Sequence, residues 1–285
     1  FGEQDPKMVA FLASFDPNFR IKFYNPTFNQ LAPSTIEKLA GLAYDFHAFN
    51  VRHHNKLFIV DDQLVITGGR NYANHYFDRA IGLNYKDHAA EGGFTVPEFP
   101  TIFGRFNSSL IGHGAPIIKP PCSDQLDYEA EMVAVVGKGG KDISKDDALS
   151  HIVAYSVFND GSIRDYQLKT PQWTVGKNFD DTGAFGPWLV TADELPAGGA
   201  GLKIETRLNG QVVQSANTSD MVFDVVDTVA LLSTCFTLEA GDVLVMGTPS
   251  GIGLARKPPL FMKDGDVCEV EIEKIGLLVN PIKAA

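Results

Sequence analysis

The chain has little cysteine and no long apolar run. Its three cysteines, Cys122, Cys235 and Cys268, are widely spaced among 285 residues, so the sequence predicts neither a disulfide framework nor a Cys-x-x-Cys zinc site. No stretch approaches the roughly 18 uninterrupted apolar residues that a membrane-spanning helix needs. The opening five residues, FGEQD, lack the basic and apolar regions of a signal peptide. We therefore expect a cytoplasmic protein that has no membrane partner.

Positive charge is also scarce, because 24 Lys and Arg stand against 35 Asp and Glu and the formal net charge is −11. Residues 1–80 contain eight side chains of each sign, so residues 81–285, with 16 basic and 27 acidic side chains, carry the whole excess. An acidic surface repels nucleic-acid phosphates and anionic lipids. The sequence therefore predicts no nucleic-acid partner and favours the binding of divalent cations.

Hydrophobic patterning changes character near residue 80. The first part contains candidate strands at 20–25, 56–60 and 63–67 and a candidate helix at 35–43. Short strands rich in β-branched residues follow, at 131–136, 202–208, 242–246 and 267–272, with candidate helices at 145–151 and 222–232. Asn209-Gly210 and Asp264-Gly265 are typical of hairpin turns. We predict a small N-terminal segment, 1–79, and a mostly β domain of the α+β class, 80–285.

The stretch LDYEAEMVAVVG, residues 126–137, concentrates negative charge beside an apolar run. If it is one strand, Asp127, Glu129 and Glu131 project from one face at intervals of roughly 6.5 to 7 Å. Such a row repels itself unless a cation lies in front of it, and Mg²⁺ or Mn²⁺ prefers carboxylate oxygens. The alternative is a solvated strand face without a function, which the spacing alone does not exclude.

Three further stretches carry residues suited to the same chemistry. In NDGSIRDYQ, Asp160 is a candidate third oxygen ligand, and Arg164 and Gln167 follow one and two turns later if a helix begins at 159 or 160. An ordinary capped helix is the alternative. Lys177, beside a glycine, is suited to stabilise an oxyanion, although an exposed loop lysine is the commoner case. The glycine-rich turn MGTPSGIG can offer backbone amides and a hydroxyl to a carboxylate, but it matches no nucleotide-binding fingerprint.

Five motifs, taken in order, resemble the fumarylacetoacetate hydrolase family over residues 80–283: GLNYKDHAAE, LDYEAE, NDGSIRDYQ, GKNFDDTGAFGPWLV and GTPSGIG. The resemblance implies a β-rich roll that holds one Mg²⁺ or Mn²⁺ and is usually a homodimer. It also implies a small 2-oxo or 1,3-dicarbonyl acid as the substrate. Hydrolysis of a C–C bond, decarboxylation and isomerisation all belong to the family, and the motifs do not select among them.

The resemblance also assigns roles to individual residues. The implied metal ligands are Glu129, Glu131 and Asp160, with Asp127 as a neighbour; the implied catalytic residues are His88, Glu91 and Lys177; the implied substrate-binding residues are Arg105, Arg164, Gln167 and Thr248. In this scheme the metal polarises the 2-oxo acid and stabilises an enolate, and Lys177 adds positive charge at the oxyanion. His88, oriented by Glu91, transfers a proton to or from water or the enolate carbon.

A separate motif lies in residues 50–78. His54-x-Lys56, followed by Asp61 and by Gly68-Gly69-x-Asn71, resembles the phospholipase D superfamily signature. That resemblance implies His54 as the nucleophile, with Lys56 and Asn71 holding phosphate, but such a site takes two motifs and the chain has one. A phosphodiesterase or phosphatidyltransferase that dimerises through residues 1–80 is therefore an alternative function. A non-catalytic carboxylate-binding module is another.

Overall fold

The structure is a computed structural model that describes residues 58–60, 64–66, 78–91, 93, 95 and 98–285. All of them fall within one compact unit, Asn55–Ala285. The predicted strand at 20–25, the predicted helix at 35–43 and the residues His54, Lys56, Asp61 and Asn71 lie outside the described part of the chain.

Strands dominate the described residues. The strands are β1 (Phe58–Val60), β2 (Leu64–Ile66), β3 (Asp78–Gly82), β4 (Thr101–Arg105), β5 (Leu110–Gly112), β6 (Ile117–Lys119), β7 (Leu126–Asp127), β8 (Ala130–Val136), β9 (Ile152–Asp160), β10 (Ser162–Ile163), β11 (Gly183–Thr191), β12 (Lys203–Leu208), β13 (Gln211–Asn217), β14 (Val243–Val245), β15 (Val267–Ile272) and β16 (Gly276–Ala284). The α-helices are α1 (Lys86–Glu91), α2 (Arg164–Gln167) and α3 (Val225–Cys235). Among these residues, no helix has the length and apolar character needed to cross a membrane. The prediction of a mostly β domain is confirmed for the described residues.

Two larger sheets build the domain. One has the strand order β4-β3-β14-β8-β9-β11-β5 and the other β13-β12-β15-β16-β6. Every residue of β8 is buried, whereas β12 alternates between buried and more exposed positions, as a strand with one covered face does. Met132 and Tyr155 of the first sheet join Ile204, Val270 and Leu278 of the second in one apolar cluster. The core therefore lies between the sheets, and β8 runs through it.

The N-terminal strands agree with the sequence pattern. The strands predicted at 56–60 and 63–67 correspond to β1 and β2, which pair antiparallel. The predicted division between residues 79 and 80 falls within β3, which pairs with β4 and with β14 of the seven-stranded sheet. The assignment of 1–79 as a separate segment stays a prediction.

Local turn chemistry predicts one hairpin correctly and one wrongly. Asn209 and Gly210 have φ values of 52° and 78°, and Leu208 pairs with Gln211 across them, which is the two-residue hairpin expected of Asn-Gly. Asp264-Gly265 does turn the chain into β15, but no strand immediately precedes it in the described residues, so the hairpin prediction there is wrong.

The helix predictions shift at their ends. The helix predicted at 222–232 is α3, Val225–Cys235, which begins where the Asp224 side chain accepts a hydrogen bond from the Asp227 amide. The helix predicted at 145–151 is only a short 3-10 turn, Ala148–His151.

The predicted single strand through the carboxylates is wrong. Asp127 ends β7, and β8 begins at Ala130, so the backbone leaves the extended ladder at Tyr128 and Glu129. The Asp127 carboxylate accepts the Tyr128 amide, and the Glu129 amide donates to the Asn159 side chain, which replaces the ladder bonds there. The predicted helix start at 159 or 160 is also wrong, because Asp160 ends β9 and α2 begins four residues later.

Candidate active site

Three buried carboxylates meet where two neighbouring strands of the large sheet end and begin. Glu129 and Glu131 flank the start of β8, Asp160 ends β9, and the Asp160 amide donates to the Glu129 carbonyl at 2.9 Å. One oxygen from each carboxylate lies within 4.8 Å of the others. Each residue is at most 4% exposed. The antiparallel pairing of β8 and β9 therefore brings together three residues that are up to 31 positions apart in the sequence.

The cluster is electrostatically unbalanced without a cation. Burial raises the pKa of Glu131 well above its ordinary range, and the carboxylates of Asp160 and Glu129 raise it further. Burial also acts to raise the pKa of Glu129, but Lys177 and Arg164 outweigh it and lower that pKa to about 2. Three clustered carboxylate oxygens are the ligands that Mg²⁺ and Mn²⁺ prefer, and Glu131 forms no ion pair with a Lys or Arg among the described residues. The residues fit a divalent metal.

Two basic side chains support Asp160. The Lys177 ammonium lies 2.6 Å from both Asp160 Oδ2 and Glu129 Oε2. Arg105 Nη1 lies 2.9 Å from Asp160 Oδ1. Gly183 makes room for this arginine, because a Cβ there would meet the guanidinium at 2.1 Å.

Lys177 also depends on the glycine that precedes it in the sequence. A Cβ on Gly176 would lie 2.3 Å from the Gln167 backbone nitrogen, so only glycine lets the end of α2 pack against this segment. In the predicted Gly176-Lys177 pair, the glycine therefore allows a close backbone contact with Gln167, and the lysine carries a buried ammonium.

Arg164 connects the carboxylates to α2. Its Nε donates to Asp127 at 2.8 Å, and its Nη1 donates to Glu129 at 2.6 Å and to Gln167 at 2.9 Å. These carboxylates overcome the effect of burial and raise the pKa of Arg164. Its buried Nη2 has no hydrogen-bond partner among the described residues, which leaves the two N–H groups of that nitrogen for a ligand.

The formal charges of the site favour a bound cation. The four carboxylates of Asp127, Glu129, Glu131 and Asp160 exceed the three cations of Arg105, Arg164 and Lys177 by one negative charge. A divalent cation would turn this into an excess of one positive charge. The site would then accept a carboxylate ligand.

The predicted catalytic pair lies on α1. His88 Nδ1 is 2.9 Å from Glu91 Oε1, and Glu91 Oε2 accepts the Gly251 amide at 2.8 Å. Because a carboxylate accepts at Nδ1, the proton of a neutral His88 is held there and Nε2 is left as a base. Asn84, two residues before α1 begins, bonds the Met246 and Phe223 main chain through its side chain and so ties the start of this helix to the domain.

The glycine-rich turn is held by the protein's own carboxylates. Glu131 Oε2 accepts the Gly247 amide at 2.6 Å, and Asp127 accepts those of Gly253 and Leu254 at 2.8 and 2.9 Å. Glu91 also accepts the Gly251 amide. The turn is therefore bonded by the candidate metal ligand Glu131, by Glu91 of the predicted catalytic pair, and by Asp127, the partner of Arg164. The turn does offer amides to carboxylates, as predicted, but those of Gly247, Gly251 and Gly253 are taken by the protein's own side chains. The Thr248 hydroxyl is not engaged in this way.

Comparison with known proteins assigns this arrangement to a family. The sequence model described as "Fumarylacetoacetate (FAA) hydrolase C-terminal" matches residues 79–283. The chain belongs to the fumarylacetoacetate hydrolase family. It is therefore grouped with enzymes, and the predicted β-rich roll is confirmed by solved structures of the same family.

Three relatives carry names with three different reactions. The rat (Rattus norvegicus) protein "Oxaloacetate tautomerase Fahd2a, mitochondrial" is 45% identical over 203 residues, 71% of this chain and 64% of its own. A 5-carboxymethyl-2-hydroxymuconate delta-isomerase from Mycobacterium smegmatis is 36% identical with a TM-score of 0.65, covering 74% of this chain and 79% of that one. Fumarylpyruvate hydrolase from Pseudomonas aeruginosa, solved with Mn²⁺ and pyruvate, is 28% identical with a TM-score of 0.68, covering 81% and 100%. The chain spans slightly less than two thirds of the rat relative's length.

The phospholipase D resemblance gains no support. The matching family model begins at residue 79, beyond the motif that contains His54 and Lys56. The motif itself lies outside the described residues.

The structure brings nearly all of the family's predicted site residues together. Glu129, Glu131, Asp160, Lys177, Arg164 and Gln167 form one contact network, and His88, Glu91 and Thr248 join it through the glycine-rich turn. Arg105 belongs to the network as well, but it is fully buried and pairs with Asp160. This placement favours support of Asp160 over contact with a substrate carboxylate.

Two residues of this site escaped the sequence analysis. Asn84 lies inside the motif GLNYKDHAAE, so that motif could have identified it as a candidate site residue. Gln214 lies on β13 in a stretch, GQVVQS, that carries no motif, and it reaches Thr248 only through the fold.

Metal binding is expected to release a proton. Because burial and neighbouring carboxylates raise the pKa of Glu131, a cation that binds there displaces a proton at every pH below that raised pKa. The apparent affinity for Mn²⁺ should therefore rise with pH until the metal-free Glu131 ionises. Titration calorimetry in buffers of different ionisation enthalpy measures the released protons, and zero release with a pH-independent affinity would contradict this assignment.

Proposed function

We propose that the chain is a metal-dependent enzyme that forms and protonates the enolate of a small 2-oxo acid, with tautomerisation of oxaloacetate as the first candidate reaction. The observation that carries the proposal is the buried cluster of Glu129, Glu131 and Asp160, in which Glu131 has a raised pKa and no basic partner in the described residues. The names of the rat tautomerase and the Mycobacterium isomerase support a proton transfer as the reaction.

The three carboxylates would hold Mg²⁺ or Mn²⁺. When bound there, either ion would supply Lewis-acid chemistry that polarises the carbonyl of a 2-oxo acid. Arg105 holds the Asp160 carboxylate in place through an ion pair, and Arg164 does the same for Glu129. Both arginines thus orient the candidate metal ligands, and Arg105 need not touch the substrate.

The remaining polar groups suit a ligand with a carboxylate and a developing oxyanion. Lys177 offers an ammonium next to Asp160 and Glu129, where it would stabilise enolate charge. Thr248 offers a hydroxyl, and Arg164 offers its unpartnered Nη2. Gln167 is held by Arg164, which fixes its amide beside that donor.

His88 is the group that moves the proton. Glu91 holds the proton on Nδ1, so Nε2 is left to take a proton from the carbon next to the keto group or to return it. In a hydrolase the same nitrogen would take a proton from water. The parts therefore support tautomerisation, isomerisation and hydrolysis, and the substrate decides which occurs.

Replacing Glu91 by glutamine should separate proton transfer from binding. An amide in place of the carboxylate stabilises the His88 imidazolium less, and we expect kcat to fall by about 10²- to 10⁴-fold, the usual contribution of a positioned acid or base. Affinities for Mn²⁺ and for oxalate should be unchanged, because Glu91 contacts neither Glu129 nor Asp160. Stopped-flow kinetics with binding calorimetry measures both. An unchanged kcat would show that the Glu91 carboxylate takes no part in the proton transfer.

The proposal is tested by assaying metal-stripped protein, with and without added Mg²⁺ or Mn²⁺, on oxaloacetate, an acylpyruvate and a 2-hydroxydienedioate. Metal-dependent tautomerisation of oxaloacetate that exceeds turnover of the others supports it. Metal-dependent cleavage of the acylpyruvate would instead identify a hydrolase. Oxalate binding without turnover of any substrate would identify a carboxylate-binding module. A homodimer stays a prediction, which the mass of the protein in solution tests.

A further inference from the structure

Gln214 joins the two sides of the candidate site. It lies on β13, in the five-stranded sheet, and is 1% exposed. Its side-chain oxygen accepts from the Ala130 amide at 3.0 Å and from Thr206 Oγ1 at 2.8 Å. Its side-chain nitrogen donates to Thr248 Oγ1 at 2.9 Å and to the Pro249 carbonyl at 2.8 Å. All four hydrogen-bonding positions of the amide are therefore used.

Two main-chain groups fix the orientation of this amide. The Ala130 N–H can only donate, and the Pro249 carbonyl can only accept. A reversed side chain would set nitrogen against N–H and oxygen against oxygen, leaving buried groups unsatisfied. Thr248 therefore faces an N–H of Gln214, and its oxygen must be the acceptor in that bond.

The Thr248 proton is consequently free for a ligand. Within the described part of the chain, no group accepts a hydrogen bond from this hydroxyl, although Thr248 is only 2% exposed. The residue before it, Gly247, donates to the candidate metal ligand Glu131. Gln214 also binds the main chain at Ala130, between the two glutamates of the cluster. The hydroxyl is thus a hydrogen-bond donor placed beside the candidate metal ligands.

We propose that Gln214 is a positioning residue that orients the Thr248 hydroxyl as a hydrogen-bond donor to the carboxylate of the substrate. The inference rests on the proposed function, because a 2-oxo acid is the anion that would accept this bond. A threonine without such a neighbour can donate or accept as its hydroxyl rotates. With Gln214 in place, one acceptor position of the hydroxyl is filled while its proton has no acceptor among the described residues, which favours a carboxylate over a ligand group that donates.

The test measures oxalate binding to the full Mn²⁺-loaded chain by calorimetry. The variants are Gln214→Met, which keeps an unbranched side chain and loses the donor, Thr248→Val and the double variant. Each single variant should weaken oxalate binding about 10-fold, as expected for a lost hydrogen bond to a charged group. The double variant should be no weaker than Thr248→Val, because Gln214 acts through Thr248. Mn²⁺ affinity, measured from the electron paramagnetic resonance of free Mn²⁺, should not change.

Matched controls separate this role from packing. Gln211→Met makes the same change at an exposed position of β13 and should bind oxalate like the wild type. Thr248→Ser keeps the hydroxyl and should retain most of the affinity. If Gln214→Met does not fold, Gln214→Glu serves in its place, since it keeps both acceptor contacts and loses the amide donor.

The outcomes are distinguishable. Losses that add in the double variant would overturn the inference, because Gln214 would then act independently of Thr248. Wild-type oxalate binding by Gln214→Met or Gln214→Glu would overturn it too while leaving the proposed function intact. A wild-type protein that binds Mn²⁺ but not oxalate would overturn the proposed function, and the inference with it.

Discussion

Replacing Glu131 by glutamine is expected to abolish Mn²⁺ binding and to lower kcat/KM by about 10³-fold or more, since the Lewis acid contributes several kcal/mol to the transition state. Glutamine is uncharged, like the protonated Glu131 that the raised pKa favours, and its amide oxygen can still accept from Gly247. The variant should therefore fold. Loss of function would then reflect the lost ligand and not a damaged core.

The same substitution has an opposite effect on stability. The pKa of Glu131 is raised in the folded protein above its ordinary value of 4.5, so the folded state binds more protons than the unfolded state above that pH. Metal-free wild-type protein should lose stability as the pH rises from 4.5 through the folded pKa, and Glu131→Gln should lose less. Denaturant unfolding of both proteins over this range measures the difference.

A control substitution completes the comparison. Glu239→Gln makes the same change at an exposed glutamate and should alter neither metal binding nor the pH profile. Normal Mn²⁺ affinity and turnover in Glu131→Gln would contradict the assignment of Glu131 as a ligand.

Replacing Lys177 by methionine is expected to cause the second large change, a loss of stability in the metal-free protein. The ammonium lies 2.6 Å from carboxylate oxygens of Glu129 and Asp160, all nearly inaccessible to solvent. Removing one partner of a buried ion pair usually costs about 3 to 5 kcal/mol, so the metal-free variant should unfold at much lower denaturant concentration. Added Mn²⁺ should restore part of this stability, because the cation pairs with the same carboxylates.

Catalysis should also suffer in this variant. Loss of a group that stabilises an oxyanion commonly lowers kcat by about 10²- to 10³-fold, and we expect this deficit to persist at saturating Mn²⁺. Lys138→Met, at an exposed lysine, is the matched control and should behave like the wild type. A Lys177→Met variant with wild-type kcat would show that the lysine serves the fold alone.

Acid unfolding also tests the ion pair between Glu129 and Lys177. Glu129 has a folded pKa of about 2, lowered by Lys177 and Arg164 against the effect of burial, so it contributes stability above pH 4.5 that is lost as the pH falls toward 2. Without Lys177 this contribution should shrink, and the acid transition should move to higher pH.

Local sequence patterns predicted those parts of the fold that depend on neighbouring residues. The strand at 267–272 has the predicted bounds, and Asn209-Gly210 forms its hairpin because both residues tolerate positive φ. The break between β7 and β8 was not predictable in this way. It depends on Asp127 binding amides of Gly253 and Leu254, more than 120 residues away.

The candidate site, too, was predicted only in part from the sequence. The family motifs identified the carboxylates, Lys177 and the histidine pair, because their residue types and order are distinctive. Motifs do not show which groups are already engaged inside the protein. Arg105 forms an ion pair with Asp160, and amides of the glycine-rich turn donate to carboxylates of the protein. Gln214 reaches Thr248 from the opposite sheet.

The most direct test of the account is exchange of the pyruvate methyl protons for deuterium in D₂O, followed by proton NMR. Enolate formation is the step shared by tautomerisation, isomerisation and hydrolysis in this scheme, and pyruvate can undergo it without any later step. The account predicts rapid exchange with Mg²⁺-loaded wild-type protein and none above background after metal removal or in Glu131→Gln. Equal exchange in the metal-stripped protein, or none in the metal-loaded one, would contradict it.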